Sequence, residues 1–163
     1  MKLIKLILIT LMFSSCSKIT YKTLDHSISL NKETTFCIAN DEDKFGTIRD
    51  LKQIFEDEGF HIVPFENASK AMKNKKTNGN TLLNKDIERA FNIKNIDSVF
   101  AIILNYNNVN DIIGTNYKNF RYSIVNLNTG KTVAWGFAIA EEMNTSKKTL
   151  RIFVKKLKQK LSK

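Results

Sequence analysis

Few residues in this 163-residue chain have the side chains that catalysis or metal binding requires. It has two cysteines and two histidines, too few for a disulfide-built scaffold or a zinc site. Cys37 lies in the apolar run 35–39, a setting typical of a buried, unreactive thiol. A cysteine nucleophile needs a histidine base oriented by a third group, and no such motif surrounds His26 or His61. We therefore predict no cysteine-dependent catalysis.

An acidic cluster, Asp41-Glu42-Asp43, follows this apolar run. Neighbouring carboxylates can bind Mg²⁺ or Ca²⁺, but no glycine-bearing calcium loop and no second acidic motif follows them. Acidic side chains also favour the N-terminus of a helix, and a helical pattern begins at Ile48. We predict a solvated loop that leads into a helix, and neither a metal nor another cofactor.

Two further patterns have both a chemical and a structural interpretation. Residues 129–131 (Thr-Gly-Lys) contain the Gly-Lys pair of phosphate-binding loops, which require GxxxxGK[ST] between a strand and a helix. Here apolar and polar residues alternate on both sides, which predicts a β-hairpin turn instead. Tyr122, Trp135 and Phe137 could stack on a ligand, but aromatic residues at strand spacing usually belong to a core, and that is our prediction.

Basic residues outnumber acidic ones by 26 to 16, and the excess is concentrated at the C-terminus. Residues 145–163 include eight basic residues and no acidic one. Such a segment attracts anionic membranes and phosphate-bearing polymers; the alternative is codon bias in an AT-rich genome, since the chain has 22 lysines and 4 arginines. The scarcity of arginine disfavours bidentate recognition of bases, so we predict no nucleic-acid partner. The predicted basic surface consists of Lys147, Lys148, Lys155, Lys156 and Lys160.

The first residues have the pattern of an exported protein. Lys2 and Lys5 precede an apolar run, 6–13, that is too short to cross a bilayer core of about 30 Å. Two serines and Cys16 follow, and residues 11–16 resemble the lipobox of bacterial lipoproteins. The resemblance implies acylation of the Cys16 thiol, cleavage before this residue and a lasting membrane anchor, because more than one acyl chain is attached.

Two alternatives to this lipoprotein signal stay open. Phe13 stands where leucine is commonest in a lipobox, and cleavage after Ser17 would give plain secretion without Cys16. An uncleaved segment would be a membrane anchor. We expect a lipid-anchored protein of the cell envelope, at the periplasmic face or the outer membrane, with a signal peptide over 1–15, a lipidated cysteine and tether over 16–33, and one domain over 34–163.

The remaining pattern predicts an α+β domain, with helices packed on a mixed sheet that ends in an antiparallel meander and a terminal helix. The second hairpin arm alternates Val133, Trp135 and Phe137 with small residues, and we expect a helix to pack on the small side. The predicted strands are 34–39, 60–65, 97–104, 120–124 and 132–139, and the predicted helices begin near 48, 68, 84 and 146, with the second ending near 73 and the third near 92. The predicted core contains Phe36, Ile38, Leu51, Phe55, Val99, Ile102, Ile124, Trp135 and Phe153.

Three short segments extend the resemblance to the whole domain. Gly59–Val63 (GFHIV) follows a helix, Asp97–Val99 (DSV) begins a strand, and Thr129–Trp135 (TGKTVAW) joins a hairpin. Together they resemble small envelope lipoproteins that share the fold of the TolB amino-terminal domain, the curli secretion lipoprotein and the penicillin-binding-protein activators. The resemblance implies this fold over 34–163 and transfers no catalytic residue.

Two classes of function follow from these observations. The first is a non-catalytic, membrane-anchored adaptor or assembly factor that binds an envelope protein or a cell-wall polymer. The alternative is a small secreted hydrolase or metal-binding enzyme with an unrecognised site. The chain has no paired carboxylates on one strand, no Ser/His/Asp order and no metal-ligand spacing. We therefore favour the adaptor and expect no enzyme.

Overall fold

The strands and helices follow one another in the predicted order, with three additional strands. The structure is a computed structural model that describes residues 18–23, 33–39, 46–78, 81–106, 109–111, 114–116, 119–139 and 146–161. In chain order the elements are β1 (Lys18–Thr23), β2 (Thr35–Ile38), α1 (Thr47–Asp57), β3 (His61–Ile62), α2 (Phe65–Asn78), α3 (Thr81–Phe91), β4 (Val99–Tyr106), β5 (Val109–Asp111), β6 (Gly114–Asn116), β7 (Asn119–Asn126), β8 (Thr132–Ile139) and α4 (Ser146–Leu161).

Six of these strands form one sheet in the order β1-β8-β7-β4-β2-β3. β2 is parallel to both β3 and β4. The pairs β4–β7, β7–β8 and β8–β1 are antiparallel, and β5 and β6 form a separate two-stranded sheet. Helices and a mixed sheet in one unit confirm the predicted α+β class.

β4 occupies the middle of the sheet because the first half of its sequence is apolar on both sides. Phe100 and Ile102 are buried on one face, and Val99 and Ala101 are buried on the other. A strand that is covered on both faces has this continuous apolar sequence. The cover ends at Ile103, which is 38% exposed.

One face of the sheet lies under α1 and α4, and we call it the helical face. Leu51 and Phe55 of α1 and Phe153 of α4 are almost fully buried there. The rings of Phe153 and Tyr122, which belongs to β7, have centroids 4.6 Å apart. Because removing a buried aromatic side chain typically costs about 3–5 kcal/mol, this face contributes much of the stability of the domain.

The opposite face is covered over only part of its width. α2 and α3 pack on β2 and the first half of β4, where Met72 and Ile87 join the same cluster as Val99. Beyond this cluster, Ile103 of β4 and Phe137 of β8 are 38% and 39% exposed. We call this uncovered part, on β4, β7 and β8, the open face.

The predicted core is confirmed except for Trp135. The buried members are Phe36, Ile38, Leu51, Phe55, Val99, Ile102, Ile124 and Phe153, although Val99 belongs to the cluster under α2 and α3. The prediction that Trp135 is buried was wrong, because it is only half-buried. Ala134 and Ala138 occupy the positions of β8 beneath α4, which confirms that a helix covers the small side. Alternation along the strand then places Trp135 on the open face.

The additional strands lie where the sequence pattern is weak. β1 falls inside the segment 16–33 that we expected to be a tether, and its backbone pairs with β8 from Lys18↔Ile139 to Thr23↔Ala134. β5 and β6 fall between β4 and β7, in a polar stretch with no clear alternation. Short strands of this kind depend on backbone pairing, which side-chain periodicity does not reveal.

α2 is longer than the sequence predicts. It begins at Phe65 rather than near Ala68, directly after Pro64, whose fixed φ suits a helix start and whose missing N–H also helps to end β3. Gly59 follows α1 in a left-handed conformation, with φ of 82°. This conformation is costly for other residues but not for glycine.

Candidate binding surfaces

The predicted lipid anchor, Cys16, and the acidic cluster at 41–43 lie outside the described residues. The start of β1 nevertheless limits the reach of the anchor, because Lys18 follows only two residues after Cys16. An extended chain spans at most about 3.6 Å per residue, so the two Cα atoms lie within about 7 Å of each other. A lipid on Cys16 would hold the domain by the β1 edge of its sheet.

α4 presents the predicted basic surface. Leu150, Phe153 and Leu157 are buried against the sheet, because apolar residues recur every three or four positions along the helix. All five predicted lysines are exposed. Together with two further cations they form what we call the basic face: Lys147, Lys148, Arg151, Lys155, Lys156, Lys158 and Lys160.

Two ion pairs connect the basic face to α1 and to Glu58, the residue that follows it. Lys147 Nζ lies 3.8 Å from Asp50 Oδ1, and Lys158 Nζ lies 3.3 Å from Glu58 Oε2. Among the described residues, no carboxylate pairs with Lys155, Lys156 or Lys160. Because solvent-exposed ion pairs contribute at most about 1 kcal/mol, most of the charge on this face is not required for folding.

The Thr-Gly-Lys segment at 129–131 forms part of the turn between β7 and β8, as predicted. The Asn126 Oδ1 atom accepts hydrogen bonds from the backbone N–H groups of Asn128 and Thr129, at 2.8 and 3.1 Å. Gly130 has φ of 70°, and its N–H donates to the Asn126 carbonyl at 2.8 Å. Backbone groups that a phosphate loop would offer to a ligand are used here to close the turn.

The three aromatic residues of the hairpin lie on different faces of the sheet. Tyr122 is buried on the helical face against Phe153, as predicted. Trp135 and Phe137 lie on the other side of β8, where Phe137 is 39% exposed. The prediction that these aromatic residues belong to a core was therefore wrong for Phe137 as well as for Trp135.

The open face contains a groove of about 470 Å³. Two rows of residues cross it from β4 through β7 to β8. One row is Ile103, Ser123 and Trp135, and the other is Asn105, Arg121 and Phe137. The described residues of the groove thus combine apolar walls with one cation and no carboxylate.

Sequence reasoning missed this groove, although the signal was present. Arg121 and Ser123 alternate with the apolar residues of β7, and we predicted Trp135 in the core. Residues that pair across two antiparallel strands have their side chains on the same face of the sheet. Because the small side of β8 lies under α4, Trp135 lies on the opposite face, and its partner Ser123 lies there with it. The same register places Arg121 beside Phe137.

Two of the lysines of α2, Lys70 and Lys75, have carboxylate partners. Lys75 pairs with Asp97 and donates to Asn128 Oδ1 at 3.0 Å, which connects α2 to the β7–β8 turn. Lys70 Nζ lies 2.7 Å from Glu66 Oε1, and this pairing lowers the pKa of the Glu66 carboxyl. Lys75 thus has a role in packing α2 on the domain, and Lys70 forms a pair within the helix.

The remaining chemically capable residues have structural roles. Burial raises the pKa of the Cys37 thiol to about 12, and its S–H donates to the Phe100 carbonyl at 3.6 Å. His61 Nε2 lies 2.6 Å from the carbonyl of Asn92, a residue with φ of 55° after α3. The part of the chain that the structure describes contains no cluster of three or more His, Cys, Asp or Glu side chains able to hold a metal. Within the same ranges, every helix is too short or too polar to span a bilayer.

Comparison with known proteins gives a distant structural likeness. No family model matches the chain, and no curated protein matches it. Among solved structures, the PelC dodecamer from Paraburkholderia phytofirmans has 10% identity and a TM-score of 0.49, and the match covers 90% of this chain and 97% of that one. A single-residue variant of the same dodecamer has 10% identity and a TM-score of 0.47, with 90% and 98% covered. At this similarity no residue role is transferred.

Proposed function

We propose that this protein is a non-catalytic adaptor or assembly factor of the bacterial cell envelope, held at the membrane by lipid on Cys16. Its partner on the envelope side is an anionic cell-wall polymer that carries phosphate or carboxylate groups. The observation that carries the proposal is the basic face of α4, where seven cations are exposed and the helix has no acidic residue.

The arrangement of charge suits a repeating polymer. α4 has 16 residues and is therefore about 24 Å long, so its lysines can meet several anionic groups in succession. Lysine acts as a mobile point charge and does not require the planar fit of a guanidinium. A surface of this kind selects its ligands by their density of negative charge, and it does not require one particular chemical structure.

Membrane anchoring supports the same function. A short attachment keeps the basic face within a few nanometres of the bilayer, which raises the effective concentration of polymer beside it. Weak individual contacts between lysines and anionic groups then suffice for lasting attachment.

A comparison of two triple variants of equal charge tests the proposal. The first variant, K155Q/K156Q/K160Q, removes three cations from the basic face. The second, K76Q/K85Q/K131Q, removes three exposed lysines from elsewhere on the domain. The lipidated protein is placed in neutral phosphatidylcholine nanodiscs, and binding to long-chain polyphosphate is measured by fluorescence anisotropy at several salt concentrations.

We expect the first variant to bind polyphosphate about tenfold more weakly than the wild type, a difference of about 1.4 kcal/mol. The second variant should change affinity by less than about twofold, because charges beyond the Debye length of about 8 Å are largely screened at physiological salt. Equal weakening in both variants would show that only net charge matters. That result, or equal binding of polyphosphate and uncharged dextran, contradicts the proposal.

A further inference from the structure

The open face is unusual because its apolar side chains are partly exposed beside Arg121. Ile103 and Phe137 are each more than one-third exposed, and Trp135, which lines the same groove, is half-buried. Arg121 is exposed in the same groove. Contact with a less polar surface would be favourable here, because apolar area would be removed from water.

The position of β1 brings this face close to the expected lipid. Thr20 of β1 pairs directly with Phe137 of β8, and adjacent strands lie about 4.8 Å apart. Thr20 stands four positions after Cys16, so the Cα atoms of Cys16 and Phe137 are at most about 20 Å apart. The open face therefore begins one strand away from the strand to which the lipid would be attached.

The side chains of the open face suit a membrane interface. Tryptophan and other amphipathic aromatic residues favour the headgroup region of a bilayer. Arginine places its methylene stem on apolar surface and its charge in the polar layer, where Arg121 would meet lipid phosphates. Among the described residues that line the groove there is no carboxylate to repel those phosphates.

We propose that the open face lies against the phospholipid bilayer, with Trp135 and Phe137 in the headgroup region. This inference rests on the proposed function through the lipid on Cys16. It also sets the orientation of the domain, because α4 covers the opposite face of the sheet. The basic face then points away from the membrane, towards the space that the cell-wall polymer occupies.

The chain contains one tryptophan, so its fluorescence reports on the open face directly. The lipidated protein is incorporated into vesicles of phosphatidylcholine and phosphatidylglycerol, with and without phospholipids brominated in the upper part of the acyl chain. We expect brominated lipid to quench most of the Trp135 emission and aqueous iodide to quench little of it. Phe137→Ser should reduce the quenching by brominated lipid several-fold. Phe65→Ser, which changes a phenylalanine of similar exposure (40%) on α2, should leave the quenching unchanged.

Mass spectrometry of the same preparation separates this inference from the proposed anchor. If Cys16 carries no fatty acid, the anchor and this inference are both overturned. If Cys16 is acylated and the vesicles carry the protein, but Trp135 is quenched by iodide and not by brominated lipid, the anchor stands and the membrane orientation is wrong. Equal loss of quenching in the two phenylalanine variants also contradicts the orientation.

Discussion

The helical face and the open face are built on the same central strands, yet they differ in what covers them. On the helical face, Phe153 belongs to the same buried cluster as the small residues Ala134 and Ala138 of β8. On the open face, the alternate residues Trp135 and Phe137 extend beyond the layer of α2 and α3. The difference shows that large aromatic residues at strand spacing do not identify the core side of a strand when small residues on the other side admit a helix.

The largest expected difference between the faces is in stability. Phe153→Ala should lower the free energy of unfolding by about 3–5 kcal/mol, because the side chain is 1% exposed and its removal leaves a cavity. Phe137→Ala, on the open face, should lower it by less than about 1 kcal/mol. Urea denaturation of both variants checks this comparison, and a similar loss for both would place Phe137 in a packed core.

Thiol reactivity compares the open face with the part of the sheet under α2 and α3, where Cys37 is buried. Because burial raises the pKa of Cys37 to about 12, very little of its reactive thiolate exists at pH 8. A cysteine introduced on the open face by Ser123→Cys should react with a thiol reagent at least about a hundredfold faster. Reaction of the acylated wild type and of this variant is followed by absorbance, with urea-unfolded protein as the reference for full reactivity.

The same burial makes a pH-dependent contribution to stability. The folded state raises the thiol pKa above its ordinary value of 9.0, so Cys37 favours folding below pH 9 and this contribution is lost as pH rises from about 9 to 12. Cys37→Ala should flatten the decrease of stability in this range. An unchanged pH profile, or rapid reaction of Cys37 in the folded protein, would show that the thiol is accessible.

The smallest expected effect concerns the basic face. K155Q/K156Q/K160Q should change the free energy of unfolding by less than about 0.5 kcal/mol, because these exposed side chains have no carboxylate partner among the described residues. Urea denaturation at low and high salt checks this. A large loss of stability would mean that the lysines serve folding, and weaker polymer binding could then no longer be attributed to a binding surface.

Much of the fold follows from side-chain periodicity. The apolar runs predicted β2 and β4, and the three-to-four-residue spacing predicted the buried stripe Leu150, Phe153 and Leu157 of α4. Gly59 follows α1, as its place after a helix in the sequence pattern indicates, because few other residues adopt its positive φ at low cost. These features are local, so the sequence contains the information directly.

The open face and the first strand depend on long-range pairing, and they were predicted less well. Which side of β8 is inward depends on the position of α4, a choice that alternation alone leaves open. β1 has no strong alternation, and it becomes a strand by pairing its backbone with β8. Arg121 and Ile103 belong to one groove only because β4 and β7 are paired in a particular register.

We predict that the open face and the basic face have different neighbours in the cell. Site-specific photocrosslinking tests this most directly. A photoreactive amino acid is placed at position 137 in one variant and at position 156 in another, and the lipidated proteins are irradiated in intact cells. We predict a phospholipid adduct from position 137 and an anionic cell-wall polymer adduct from position 156. A phospholipid adduct that forms as readily from position 156 as from position 137 would contradict the account.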